Sequence, residues 1–148
     1  MKRILPLIAA TMLFLSACGA KSGMEVRNAW ARPAAQGGNG GVFFELRNHD
    51  AVPDELTGAS STVAEAVEIH ESKMDGDVMQ MRMIPSLPIE ANAEVTFEPG
   101  GLHVMLFNLE QELKLDDEFE IVLHFKNHED ITVHVTVEDS APGDSHDM

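Results

Sequence analysis

Cysteine is nearly absent: among 148 residues there is one, Cys18. With that residue committed to the amino terminus, the remainder can form no internal disulfide and no Cys-ligated zinc, haem or iron–sulfur site. A blue-copper electron-transfer centre is excluded as well, because it requires a cysteine thiolate. Cations are scarce, with 10 Lys and Arg against 25 Asp and Glu, a formal net charge of −15. A field of that sign repels nucleic acid and anionic lipid surfaces, so no nucleic-acid partner is expected. The apolar stretch from Ile4 to Leu15 falls well short of the roughly 20 residues that span a bilayer. Catalytic signatures are missing too: the serines lack an elbow context, no Gly-rich loop precedes a helix, and the carboxylates are scattered without a histidine or metal cluster. The chain is therefore expected to be no enzyme.

What is present begins with an export signal. Met1-Lys2-Arg3 is a short basic region, Ile4 to Leu15 is apolar, and Leu15-Ser16-Ala17-Cys18 reads as a bacterial lipobox. Residues 1–17 are then a lipoprotein signal peptide, and Cys18 is the lipidation site, its acyl chains tethering the protein to a membrane at about 0.8 kcal/mol per buried methylene. Gly19 is not an inner-membrane retention residue, which leaves the outer membrane open as a destination on the periplasmic side. Removing Lys2 and Arg3 leaves a formal charge of 8 − 25 = −17. That charge serves solubility and draws cations or a basic partner alike. Residues 18–23 are the lipidated cysteine and a linker, 24–139 one domain, and 140–148 a flexible acidic tail. Nothing in the sequence demands more than a monomer.

Between those ends the hydrophobic period is two. Met24 to Trp30, Val42 to Asn48, Ala64 to Glu71, Val78 to Ile84, Glu94 to Glu98 and Leu102 to Phe107 read as strands. They are punctuated by the glycines at 37–41, Asp75-Gly76, Pro85, Pro88 and Pro99-Gly100-Gly101. The clearest pair alternates Phe119, Ile121, Leu123 and Phe125 on one strand, and Ile131, Val133, Val135 and Val137 on the other. Many short strands with almost no helical periodicity predict an all-β protein, an antiparallel β-sandwich.

Four side chains carry the chemistry: His70, Met81, His103 and Met105, spaced H-x10-M-x21-H-x-M. Imidazoles and thioethers without a thiolate are a soft set that selects Cu(I) over harder ions. On the strand from Leu102 to Phe107, Leu102, Val104 and Leu106 take the core face, so His103 and Met105 project together from the other. Glu68 and His70 likewise point away from the core that Val67 and Ile69 suit. The pattern alone makes Met79, Met81 and Met83 a buried stripe, since methionine fills core gaps. An exposed shallow apolar site at the strand end satisfies both that stripe and a ligand role for Met81.

In this spacing the chain resembles the PCuAC family of small periplasmic copper chaperones. The resemblance extends through Asn28-Ala29-Trp30-Ala31-Arg32, Leu56-Thr57-Gly58-Ala59-Ser60-Ser61, Glu68-Ile69-His70-Glu71, the segment from Asp75 to Arg82 and that from Pro99 to Leu106. It implies a Greek-key, cupredoxin-like sandwich and a metal site of His70, Met81, His103 and Met105. It also implies a Cu(I) carrier that delivers to the CuA centre of cytochrome c oxidase, on its subunit II, or to another copper assembly protein. Neutral thioethers add no charge to Cu(I) and remain usable where free thiols would be lost to disulfides, but they are open to sulfoxidation. Two further functions share these residues: a copper-sequestering lipoprotein without a dedicated acceptor, and a structural envelope lipoprotein.

Other candidates carry less. His124 and His134 flank the turn at 127–130 symmetrically and are expected as cross-strand neighbours on the solvent face, where a solvated pair or an adventitious metal site would fit. His146 with Asp144, Asp147 and Met148 could form a weak tail site. Met74 is read as turn packing or an auxiliary copper ligand, Trp30 as core or core edge, and His49 as loop surface.

Overall fold

The computed structural model describes residues 22–143. The signal peptide, Cys18, His146 and Met148 lie outside the described residues. Ten strands follow one another: β1 (Met24–Ala31), β2 (Gly40–Asn48), β3 (Asp54–Ser60), β4 (Ala64–Asp75), β5 (Val78–Met83), β6 (Leu87–Ile89), β7 (Glu94–Phe97), β8 (Leu102–Leu109), β9 (Glu118–Phe125) and β10 (Ile131–Val137). They hydrogen-bond in the order β5-β4-β8-β7-β2-β1-β10-β9-β3-β6, and β8 also pairs directly with β2. The sheet folds over so that its two halves face each other across one core. Val42, Phe44 and Leu46 of β2, Ile69 of β4, and Val104 and Leu106 of β8 meet Leu56, Ile121, Leu123, Val133 and Val135 from the other half. Burying each such aliphatic side chain contributes about 1.5–3 kcal/mol.

Two strands escape the period-two pattern. Strand β3 has Gly58 and Ser60 where alternation from Leu56 would want apolar residues, and its register slips between Leu56 and Gly58. It is held instead by Asp54, whose carboxylate accepts from the backbone amides of Glu55, Asn127 and His128 at 2.8, 3.0 and 2.8 Å. Strand β6 is three residues around Pro88, tolerated because β6 is an edge of the sheet.

A bulge in β1 sets up the functional face. Before it, Val26 pairs with Leu46; after it, Trp30 pairs with Phe43 and Ala31 with Val42, so β1 carries one extra residue. Asn28 takes that step with φ of 54°, a left-handed conformation that asparagine tolerates. Side chains beyond the bulge therefore switch faces: Ala31 joins the core and Trp30 turns to the opposite side of the sheet. Trp30 is buried, as expected, but against Phe43 outside the main core, with ring centroids 4.9 Å apart.

Candidate functional site

Strands β4 and β8 run antiparallel in a register that sets His70 directly opposite His103, and Glu68 opposite Met105. Antiparallel partners share a face, and this face is the reverse of the one on which Ile69, Val104 and Leu106 enter the core. The orientation expected for His103, Met105 and His70 is thus observed. On that outer face His103 is nonetheless buried, at 5% exposure. Phe43 and His70 flank its ring at centroid distances of 6.4 and 5.9 Å, and Phe107 lies 5.6 Å from the ring of His70. An aromatic row from Trp30 through Phe43, His103 and His70 to Phe107 forms a small second core on the outer face.

Gly41 makes room for that row. It pairs with Met105, and a Cβ there would meet Phe43 Cζ at 3.2 Å. The Phe43 ring therefore lies over a backbone without a side chain.

Each imidazole has one nitrogen tied and one bare. His103 Nδ1 donates to the carbonyl of Gly101 at 3.0 Å, and His70 Nε2 donates to the Glu68 carboxylate at 2.7 Å. Because a carbonyl and a carboxylate only accept, both tied nitrogens carry the proton in the neutral ring. The other nitrogens, His103 Nε2 and His70 Nδ1, are buried acceptors with no hydrogen-bond partner. Leaving such a group unpaired costs about 1–3 kcal/mol, and these two sit on cross-strand neighbours of one face. The tied nitrogens are the outer support that fixes tautomer and ring direction at metal sites. Among the described residues no three His, Asp, Glu or Cys side chains gather into a metal cluster, and the soft side chains beside the histidine pair are thioethers.

Two thioethers flank the histidine pair along the sheet. Met105 is half-buried, two residues beyond His103 on β8. Met81 stands opposite Ser72, one same-face position from His70 toward the tip of the β4–β5 hairpin, while Met83 is directly opposite His70. The structure thus brings His70, His103 and Met105 together and places Met81 on the adjoining arm, on the far side of the histidines from Met105. The buried methionine stripe expected from the pattern is corrected: Met79, Met81 and Met83 are 52–55% exposed. Strand β5 is the other sheet edge, and among the described residues nothing packs over it. A cavity of about 320 Å³ on the arm is bordered by Met81 and Met74 but by neither histidine.

The lesser candidates separate. His134 stands opposite Glu120, and His124 reaches Asp130 at 2.9 Å and Ser60 at 2.9 Å, so the two are not cross-strand neighbours and cannot share an ion. Met74 is exposed opposite Met79 and is not packed in the turn. His49 is partly buried and bonds Glu25 at 2.6 Å. The amino-acid pattern does not single out Phe43, Gly41, the place of Met83 opposite His70, or the tautomer-fixing roles of Glu68 and Gly101. Glu68 carries a signal, two residues from His70 on the same strand face, and the Gly101 carbonyl is likewise two residues before His103; Phe43, Gly41 and Met83 depend on cross-strand register.

Comparison with known proteins bears on the family and the fold. The family model described as "Putative lipoprotein LpqE-like" matches residues 24–137. An uncharacterised protein of Rickettsia prowazekii is 34% identical over 119 residues, covering 76% of this chain; the chain spans 65% of that protein's length. A protein of Leifsonia xyli described as a "Putative lipoprotein" is 26% identical over 145 residues, covering 89% of this chain and 87% of its own. Among solved structures, the copper-bound PCuAC domain from PmoF2 superposes with a TM-score of 0.67 at 22% identity, covering 82% of this chain and 95% of that domain. The Cu(I) form of DR1885 from Deinococcus radiodurans gives 0.60 at 26% identity over 83% of each chain. The fold is the cupredoxin-like sandwich of PCuAC domains.

Proposed function

This chain belongs to the LpqE-like lipoprotein family, and on that premise we propose that it is a copper carrier of the bacterial envelope, binding Cu(I) through His70, His103, Met105 and Met81. The observation that carries this is the pair of facing imidazoles, each with a buried, unpartnered nitrogen lone pair and its other nitrogen held by Glu68 or Gly101. Two imidazoles and two thioethers are neutral, soft donors suited to Cu(I). The copper-bound PCuAC domain and Cu(I)-DR1885 support copper as the cargo.

An ion held by this set keeps its charge of +1 and can be taken by an acceptor bearing thiolates, which bind it more strongly. His103 is buried against Phe43 and His70, so the imidazoles supply the fixed part of the site. Met81 rides on an exposed edge hairpin and is the donor most readily released. The chain is anchored by lipid on Cys18 at the periplasmic face, with residues 24–139 as the carrier domain, the monomer as the working unit, and the CuA site of cytochrome c oxidase or one of its assembly proteins as acceptor.

Transfer tests this function. Cu(I)-loaded protein mixed anaerobically with an apo CuA domain should generate bound copper on the acceptor faster than the same copper presented by a chelator of equal affinity. Retention of copper by the carrier in the presence of excess acceptor would make it a sequestering protein instead.

A further inference from the structure

The β4–β5 hairpin has two unlike faces. On one, Glu71 pairs with Arg82 at 2.6 Å, and Gln80 donates to Asp75 at 3.1 Å, so its polar groups satisfy one another. On the other, the register sets Met74 opposite Met79, Ser72 opposite Met81 and His70 opposite Met83. Thioethers thus run unbroken along one face from the hairpin tip to the first imidazole. All four methionines are more than half exposed, so they fill no core gap.

The residue type is the informative part. Strands favour β-branched and aromatic side chains, and methionine is not among them. An apolar docking face could use any hydrophobe, yet every residue of β5 on this face is methionine. The one aliphatic residue of the strand, Val78, pairs with Asp75 on the opposite face. What methionine has and valine lacks is a sulfur lone pair that binds soft cations.

We propose that Met74 and Met79 form a second, weaker Cu(I) site at the hairpin tip, which passes the ion by way of Met81 to His70 and His103. This deepens the copper-carrier function and rests on it. Each move replaces one neutral thioether by another or by a neutral imidazole, so the ion stays Cu(I) and no electron or proton is transferred. The gradient is chemical: thioethers alone hold the ion at the exposed tip, and two fixed imidazoles hold it more tightly at the inner end. The acidic chain, with its net charge of −15, raises the local cation concentration at the tip.

The test is NMR of the full chain in detergent, labelled with carbon-13 at the methionine methyl groups and titrated anaerobically with Ag(I), a redox-inert stand-in for Cu(I), beside a Met74→Leu, Met79→Leu variant. The first equivalent should shift the methyl of Met105, and the second should shift those of Met74 and Met79 together. The variant should keep the first equivalent and lose the second. Met74 and Met79 methyls unmoved in excess Ag(I), while Met105 responds, would overturn the tip site and leave the histidine-centred site intact. A second equivalent that survives in the variant would overturn it as well. No response of Met105 at any stage would remove the inner site and the hand-over with it.

Discussion

His70 and His103 face each other across β4 and β8 with ring centroids 5.9 Å apart, and each turns a buried, unpartnered nitrogen away from a protonated one. The proton positions are set by Glu68 and by the carbonyl of Gly101. Glu68→Ala removes the acceptor that holds the His70 proton on Nε2 and lets the ring take either tautomer. Cu(I) affinity is expected to fall by about 10–100-fold, the range for losing such a supporting group. Competition against a chromogenic Cu(I) chelator measures it, and Glu68→Gln, which keeps an acceptor oxygen, should lose less.

Met81 is exposed, so its role separates cleanly from stability. Met81→Leu should change unfolding free energy by no more than about 0.5 kcal/mol. It should weaken Cu(I) retention by about tenfold or more. Urea unfolding and chelator competition on the same preparation make the comparison, with Met83→Leu alongside because Met83 is the residue directly opposite His70.

At Gly41 an added methyl would press on Phe43 Cζ from 3.2 Å. Phe43 is buried between Trp30 and His103 and has little room to yield. Gly41→Ala is expected to cost about 1–3 kcal/mol as overpacking and to shift the His103 ring. Denaturant midpoints report the first effect, and the chemical shifts of the His103 ring report the second.

Far from the metal face, Asp54 ties β3 to the turn at 127–128. Burial works to raise the pKa of its carboxyl, but the amides of Glu55, His128 and Asn127 and the Asn127 side chain outweigh it and hold the value below the ordinary 3.8. The unfolded chain then binds the proton more readily than the folded one. The stabilisation from Asp54 is present above the ordinary carboxylate range and is lost as pH falls through the lowered folded value. Asp54→Ala should destabilise by about 1–3 kcal/mol at neutral pH, as amide donors lose their buried acceptor. The deficit should begin to shrink as pH falls below ~3.8, where the unfolded chain's carboxylate takes up its proton, and close once pH passes the lowered folded value. Stability curves of both proteins across pH show the convergence.

Much of this architecture is legible in the amino-acid pattern, and the exceptions have physical reasons. Alternation gave the correct faces for His70, His103 and Met105 because Val104, Leu106 and Ile69 mark the core side. Alternation alone cannot say what lies over the reverse face. His103 is flanked there by Phe43 and His70, and a bulge at Asn28 swings Trp30 onto the far side of Phe43, a one-residue shift with no signature in hydrophobic period. The methionines of β5 were misread as buried because burial depends on a neighbour, and β5 ends the sheet. The symmetry of His124 and His134 about their turn misled for a related reason: the actual register pairs Ile131 with Leu123, which sets His134 against Glu120. Strand β3 went unseen because it is held by the hydrogen bonds of Asp54 more than by its own alternation.

The central claim is that the facing histidines and their thioether neighbours hold one Cu(I). An anaerobic Cu(I) titration against a competing chromogenic chelator, with the parent chain beside a His103→Ala, Met105→Ala double variant, tests it most directly. The parent should take up one tight equivalent that the variant cannot hold. Equal, weak uptake by both would contradict the account, because copper would then be bound elsewhere and the bare imidazole nitrogens would need another explanation.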